Sequence, residues 1–141
     1  MQQATAVPPP PLPPSAPRAG QAREDWVRQV ERIRHGHEQW AAAAAGTLAG
    51  GAQEVAPLPV GDVRDVVDAT VRARVFVPPG DGPFPAVMSF HGGGFWIGGG
   101  AAGMEAADPG CRLMCRQLGA VVAHVDYRQA PEHPFPTPLE D

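Results

Sequence analysis

The chain has 141 residues, a formal net charge of −4, two cysteines and eighteen prolines. This length allows one domain with one core, and the slightly acidic balance argues against nucleic acid or an anionic membrane surface as a partner. No stretch reads as a membrane span, and the N-terminus lacks the basic and apolar regions of a secretory signal. We therefore expect no membrane span and a cytoplasmic location.

Residues 1–20 are rich in proline and predict a disordered leader. A run such as Pro8–Pro14 favours extended polyproline II structure, which buries no core. A ligand for a proline-binding adaptor domain is the alternative for this segment. The sequence does not identify an adaptor domain that would bind it.

Residues 21–52 predict a cap-like helix followed by a linker. Between Gln21 and Trp40, five side chains recur at spacings of three and four, which is typical of one face of an amphipathic helix. The five side chains of this stripe are Trp26, Val30, Ile33, His37 and Trp40. The low-complexity run Ala41–Gly51 predicts a helix end that gives way to a flexible linker.

Residues 53–141 predict an α/β domain that begins with two strands. Valines around Val63 and Val67 indicate a first strand. The run Val71–Val77 alternates apolar side chains with arginines, a period of two that predicts a half-exposed edge strand. Prolines and glycines in 78–83 then predict a turn.

The next stretch, Phe84–Gly100, carries the strongest chemical signal in the chain. Its apolar part predicts a buried strand over Ala86–Phe90, and the strand leads into His91 and a run of glycines. Glycine lets the backbone turn sharply and lets N–H groups point into open space. Converging N–H groups can stabilise an oxyanion in acyl transfer. A flexible glycine loop with a chance histidine is the alternative.

A parallel βαβ unit is predicted to follow. Residues 101–118 have helical character, but Pro109-Gly110 favours two shorter helices over one continuous helix. Cys111 and Cys115 lie on one helical face, and we expect buried free thiols there because no further metal ligand is near in sequence. Another apolar strand follows at 120–125.

Two motifs together resemble one enzyme family. The segments HGGGFWIGG, from His91, and DYRQAPEHPFPTPLED, from Asp126, resemble the hormone-sensitive-lipase-like branch of the α/β-hydrolase superfamily. The resemblance extends from Val63 to Asp141. Gln129 replaces the usual leucine, and Thr137-Pro138 replaces a small pair where a helix begins. The resemblance implies the N-terminal half of an α/β-hydrolase fold, in which an antiparallel hairpin leads into the parallel βαβ unit.

The resemblance also implies roles for particular residues. Gly93 and Gly94 would supply the oxyanion N–H groups, and Gly92 would support the turn. His91 would be structural, with its ring fixing the loop. The supporting loop would further include Asp126, Tyr127 and Arg128, with a charge-assisted contact expected between Asp126 and Arg128.

A nucleophile is the missing part of this chemistry. The only serines are Ser15 in the leader and Ser89 inside a strand, and neither lies in a G-x-S-x-G elbow. We therefore expect no catalytic triad in this chain, which would be an N-terminal portion of a carboxylesterase that acts on small-molecule esters. No metal or other cofactor is implied. The alternative is a non-catalytic, truncated hydrolase-like protein that acts as a binding module.

Overall fold

The computed structural model describes residues 8–14, 16–49 and 56–141. The chain divides into two compact units, the first ending at Glu54 and the second beginning at Val55. The glycines of the predicted linker, Gly50 and Gly51, lie outside the described residues.

Helix α1, Arg23–Ala49, is the main element of the first unit. It starts close to the predicted position and continues past Trp40 to Ala49, through most of the run that we predicted as a helix end. The continuation has a local cause, because alanine has the highest helix propensity and 41–45 are all alanine. Val30, from the centre of the predicted stripe, is buried.

Part of the proline-rich leader contacts α1, although its composition predicted a disordered segment. The indole Nε1 of Trp26 donates to the carbonyl of Pro14 at 3.2 Å. The ring nitrogen Nε2 of His37 donates to the carbonyl of Pro11 at 3.1 Å. Polyproline backbone makes no internal hydrogen bonds, so its carbonyls are available to side-chain donors of this kind. Residues 1–7 and 15 lie outside the described residues.

The second unit contains a four-stranded mixed sheet. Its strands are β1 (Asp62–Asp68), β2 (Val71–Val77), β3 (Ala86–Phe90) and β4 (Val121–Asp126). Within the described residues the spatial order is β1-β2-β4-β3, with β1–β2 and β2–β4 antiparallel and β3–β4 parallel. The predicted hairpin leading into a parallel unit is confirmed.

Strand β2 is an interior strand, so the prediction of an edge strand was wrong. It pairs with β1 on one side and β4 on the other. Its alternating arginines are accommodated by carboxylates: Arg74 binds Asp65 through two hydrogen bonds of 2.7 and 3.1 Å, and Arg72 binds Asp126 at 3.0 Å. Alternation reports which face a side chain occupies and does not reveal whether the strand has two neighbours.

Helix α2, Gly100–Leu118, packs against the sheet to form the core. The most buried cluster consists of four side chains, which are Phe76, Cys111, Cys115 and Val122. Both cysteines are therefore buried free thiols, as expected. Gly119 ends the helix in a left-handed conformation, with φ of 59°, and its N–H donates to the carbonyl of Cys115.

The prediction that α2 is broken at Pro109 was wrong, because the helix is continuous through this residue. Proline removes one helical hydrogen bond and crowds the preceding turn. Here Pro109 lies on the exposed side, where water can satisfy a carbonyl that has lost its partner. On the buried side, Met104, Cys111 and Cys115 recur at helical spacing and favour a single helix.

The strand β3 forms one edge of the described sheet. Met88 and Phe90 are 58% and 63% exposed on it, which is unusual for large apolar side chains. A short helix, α3 (Thr137–Glu140), begins with Pro138 in its first turn, as expected. Within the described ranges, no helix combines the length and apolar character needed to cross a bilayer.

We predict that Pro109→Ala stabilises the second unit by up to about 3 kcal/mol, since alanine restores the missing hydrogen bond and removes the steric conflict. Urea unfolding monitored by far-UV circular dichroism measures the change. Gly110→Ala is the matched control, because a Cβ there meets open space, and it should add about 1 kcal/mol. A loss of stability in Pro109→Ala would show that two helices meet at this position.

Candidate functional site

The glycine-rich loop lies at the carboxyl ends of two neighbouring parallel strands. His91 directly follows β3, and Asp126 and Tyr127 lie at the end of β4. Because β3 and β4 are paired in parallel, these ends meet at one edge of the sheet. Open α/β sheets bind ligands at this edge. The structure therefore brings the two sequence motifs together.

Two glycines allow the loop to fold tightly back on itself. Gly93 has a φ of +116°, and a Cβ at this position would overlap the carbonyl oxygen of Ile97. The carbonyl of Gly93 accepts hydrogen bonds from Trp96 N and Ile97 N at 3.2 and 3.3 Å. Gly98 has a φ of +104°, and a Cβ there would overlap the carbonyl oxygen of Gly92. Only glycine meets both the dihedral and the steric demand.

The ring of His91 orients the first peptide of the glycine run. Its Nδ1 lies 2.8 Å from the carbonyl oxygen of Gly92, and since a carbonyl only accepts, Nδ1 carries the proton. The Gly92 carbonyl and the Gly93 N–H belong to one planar trans peptide and point in opposite directions. Holding this carbonyl on the His91 side therefore directs the Gly93 N–H away from it.

Tyr127 holds His91 in place by two contacts. The two rings are stacked, with centroids 4.1 Å apart and an interplanar angle of 9°. The hydroxyl of Tyr127 donates to the backbone carbonyl of His91 at 2.9 Å. Burial raises the pKa of this hydroxyl, so it stays protonated and remains a donor well above neutral pH. The side chain of Tyr127 thus fixes both the ring and the backbone at the start of the loop.

Asp126 fixes the other end of the loop. Its Oδ1 accepts a hydrogen bond from the backbone N–H of Gly100 at 2.7 Å, and its Oδ2 accepts one from Arg72 at 3.0 Å. A carboxylate at this position satisfies a free N–H in the first turn of α2 and interacts favourably with the helix dipole. Gly99 allows the approach, because a Cβ there would lie 2.7 Å from the same Oδ1.

The expected contact between Asp126 and Arg128 was wrong, because Arg128 binds Asp141 instead. Asp141 accepts from the backbone N–H of Arg128 at 2.7 Å, from its Nε at 2.9 Å and from its Nη2 at 2.5 Å. β4 ends at Asp126, so the alternation that would place residues 126 and 128 on one face does not extend to Arg128. The hydrogen bonds from Arg128 lower the pKa of the Asp141 carboxyl. This pair ties α3 to the end of β4.

A cavity of about 580 Å³ opens beside the loop. It is lined mainly by apolar side chains together with backbone of the glycine run, namely Met88, Phe90, His91, Gly92, Gly94, Phe95, Val125, Tyr127, Pro138, Leu139 and Asp141. Among the residues that the structure describes, the backbone N–H groups of Gly93 and Gly94 donate to no acceptor. Free N–H groups beside an apolar cavity can bind a negatively charged oxygen.

Ser89 lies on the face of the sheet opposite to this cavity. Its neighbours Met88 and Phe90 line the cavity, and side chains alternate along a strand. The hydroxyl of Ser89 lies 3.0 Å from Nδ1 of His124, whose side chain is 3% exposed. This pair is a buried contact under α2 and cannot reach a substrate in the cavity. Ser15 lies outside the described residues.

The two cysteines are equally unsuited to nucleophilic attack. Burial raises the pKa of both the Cys111 and the Cys115 thiol, which disfavours the reactive thiolate. Across the described parts of the chain, no three His, Cys, Asp or Glu side chains are grouped to hold a metal ion. The described residues around the cavity therefore offer hydrogen-bond donors and apolar surface.

Three residues that contact the predicted site were missed from the sequence. Arg72 lies more than fifty positions before its partner Asp126, and no local pattern links them. Asp141 ends the second motif, and its pairing with Arg128 depends on how α3 folds back. Gln129 was noted only as a departure from the family pattern, although its side chain lies beside Gly99.

Known proteins that resemble this chain include ester hydrolases. Residues 87–141 match a family model described as the alpha/beta hydrolase fold. Over 71 residues the chain is 41% identical to the carboxylic ester hydrolase LipN of Mycobacterium tuberculosis, covering 50% of this chain and 18% of LipN.

Solved structures of esterases share the fold. An esterase of Pyrobaculum calidifontis is 34% identical, with a TM-score of 0.60 over 78% of this chain and 33% of that one. EstE1, a carboxylesterase from a metagenomic library, is also 34% identical, with a TM-score of 0.55 over 88% of this chain and 37% of EstE1. The chain thus spans about a third of these structures and less than a fifth of LipN.

We predict that Gly93→Ala destabilises the second unit by about 1–3 kcal/mol, because alanine is strained at this φ and collides with the Ile97 carbonyl. Gly92→Ala is the matched control, since a Cβ at Gly92 meets no atom within 4 Å. Thermal unfolding of both variants measures the difference. Equal melting temperatures for the two variants would contradict the tight turn at Gly93.

We also predict that stability falls as the pH drops from about 6.5 towards 5. Burial, reinforced by nearby His91, lowers the pKa of His124, so the unfolded chain takes up this proton at a higher pH than the folded chain. The stabilisation from neutral His124 is complete above the unfolded pKa and is lost on acidification.

Urea midpoints measured at several pH values test this dependence. His124→Gln should flatten the slope in this window, whereas His35→Gln, at an exposed position on α1, should leave it unchanged. A slope that is the same in the parent chain and His124→Gln would assign the pH dependence to other groups.

Proposed function

Because the chain belongs to the α/β-hydrolase superfamily and is similar to its hormone-sensitive-lipase-like carboxylesterases, we propose that it is part of a carboxylic ester hydrolase. In this proposal the whole protein cleaves small-molecule esters through a serine acyl-enzyme. The 141 residues supply the oxyanion hole and the wall of the site beside it.

The free N–H groups of Gly93 and Gly94 carry this proposal. When a serine oxygen attacks an ester carbonyl, the carbon–oxygen double bond opens and negative charge collects on the carbonyl oxygen. Donors already aimed at that oxygen stabilise the transition state without reorganising. The loop meets this requirement through the contacts of His91, Tyr127 and Asp126, which hold its backbone at both ends.

The open edge of the sheet supports a nucleophile that comes from sequence outside these 141 residues. In the family that the chain resembles, the strand leading to the nucleophile elbow pairs with the strand equivalent to β3. Here β3 is an edge of the described sheet, and its exposed Met88 and Phe90 line the cavity next to the glycine run. A strand added at this edge would bring its elbow close to Gly94.

The attack would then place the developing oxyanion near Gly93 and Gly94. The serine proton would pass to a histidine base, which returns it to the departing alcohol, and water would release the acyl group by the same route. The chain's own part in these steps is to bind the charged oxygen. His91 takes no part in proton transfer in this scheme, since its Nδ1 proton is committed to the Gly92 carbonyl.

The alternative is a non-catalytic binding module that uses the same cavity. One observation favours it: the described residues that line the cavity include no serine or cysteine. Such a protein would bind an apolar ester or its acid without turnover. The two proposals therefore predict different results when a nucleophile is supplied: ester hydrolysis in the first and binding without hydrolysis in the second.

A chimera tests the proposed function. Residues 56–141 replace the matching segment of the Pyrobaculum calidifontis esterase, which supplies the rest of a hydrolase fold. We expect the 141-residue chain alone to hydrolyse p-nitrophenyl acetate no faster than buffer. We expect the chimera to hydrolyse it. Gly93→Ala in the chimera should lower kcat by about 10²-fold or more, because the strained alanine displaces its N–H from the oxyanion, an effect like the loss of a donor.

Two results would overturn the proposal. A folded chimera whose kcat is unaffected by Gly93→Ala would show that the glycine run is not the oxyanion hole. Hydrolysis by the 141-residue chain itself would show that a nucleophile lies within it. Gly92→Ala in the chimera is the matched control, and labelling of the elbow serine by a fluorophosphonate confirms that each chimera has a formed site.

A further inference from the structure

The hydrogen bond made by His91 shows which of its two ring nitrogens carries the proton. Nδ1 donates to the Gly92 carbonyl at 2.8 Å. In neutral histidine the other nitrogen, Nε2, is then an acceptor. This Nε2 is buried, and no partner contacts it among the described residues. His91 therefore presents a buried acceptor that needs a donor.

The side chain of Gln129 presents the complementary group. Its Nε2 is a donor that is also buried and without a partner in the described residues. Both side chains border Gly99, where a Cβ would lie 3.1 Å from Nε2 of His91 and 3.1 Å from Oε1 of Gln129, so these two atoms are at most about 6.2 Å apart. A half-turn of the amide exchanges its oxygen and nitrogen, and a rotation of the side chain towards His91 then brings the NH₂ group to Nε2.

The backbone of Gln129 is held on both sides of this position. The N–H of the next residue, Ala130, donates to the carbonyl of Phe95 within the glycine loop at 2.8 Å. The carbonyl of Gln129 accepts from His133 N at 2.9 Å. These bonds hold the backbone of Gln129 against the loop, so its side chain extends from a fixed position.

His124 is not a substitute donor. Its Nε2 is also buried without a described partner, but its ring centroid lies 6.3 Å from that of His91. At this separation the two rings are too far apart for a direct nitrogen–nitrogen hydrogen bond. Among the described side chains with an unpaired buried donor, Gln129 is the one that borders Gly99 together with His91.

We propose that the side-chain amide of Gln129 donates a hydrogen bond to Nε2 of His91 and thereby fixes the tautomer that orients the glycine loop. The chain of contacts runs from the amide to the imidazole, from Nδ1 to the Gly92 carbonyl, and through the rigid peptide to the Gly93 N–H. Gln129 is thus a positioning residue that acts through His91. The importance of Gln129 for catalysis rests on the proposed function. The hydrogen bond between Gln129 and His91 does not depend on that function.

Nuclear magnetic resonance of the 141-residue chain tests the proposal directly. The chain is labelled with ¹⁵N in histidine and glutamine and studied at a concentration where sedimentation shows a monomer. We expect the Nδ1–H tautomer of His91. We also expect a scalar coupling across the hydrogen bond, between the Nε2 atom of Gln129 and the Nε2 atom of His91. An Nε2–H tautomer, or no coupling in a folded chain, would overturn the proposal.

Substitutions then separate positioning from packing. Gln129→Leu keeps the size but removes the donor, so the His91 ring should populate both tautomers and the Gly93 amide signal should shift and broaden. Gln129→Glu replaces the donor with an acceptor and should place a proton on Nε2. Gln117→Leu, an exposed glutamine on α2, is the matched control and should change neither signal.

An unaltered His91 tautomer and Gly93 signal in folded Gln129→Leu would also overturn the proposal. If either variant fails to fold, the coupling in the parent chain decides the question. None of these measurements depends on ester hydrolysis. If the coupling is present but the chimera does not hydrolyse the ester, only the proposed function is rejected. If the chimera is active but the coupling is absent, only the role of Gln129 is rejected.

Discussion

The glycine loop depends on two places where its backbone crosses itself without room for a side chain. At Gly93 the chain passes against the Ile97 carbonyl, and at Gly98 it passes against the Gly92 carbonyl. These crossings turn the loop within a few residues and leave the N–H groups of Gly93 and Gly94 without acceptors in the described structure. A looser loop of ordinary residues would pair those donors internally, and nothing would remain to bind a charged oxygen.

The surroundings of this tightly folded loop hold it in place. Asp126 joins three elements, since it accepts hydrogen bonds from Arg72 on β2 and from the first turn of α2 while it ends β4. Tyr127, the next residue, stacks on His91 and bonds its carbonyl. Two consecutive residues therefore clamp both ends of the loop from the neighbouring strand. This explains in physical terms why the two sequence motifs occur together.

The sequence indicated the local structure around the glycine loop, but it did not indicate which residues form long-range ion pairs. The strand before His91, the glycine turn, and the unsuitability of Ser89 follow from alternation and from glycine's lack of a Cβ. The interior position of β2 was hidden because Arg72 and Arg74 look solvent-exposed until their distant carboxylates are known. The same applies to Arg128, whose partner is Asp141 instead of the adjacent Asp126. The roles assigned to Gly92, Gly93 and Gly94 remain predictions from resemblance and geometry.

The contacts that shape the loop all lie within the second unit, between β2 and α3. The His91 ring, the Asp126 carboxylate and the tight turn at Gly93 set the N–H directions before any further strand is added. Electrostatic stabilisation of a transition state is largest when donors need not reorganise. A hole built by the first half of a fold, and completed by a nucleophile docking at the open β3 edge, would meet this condition.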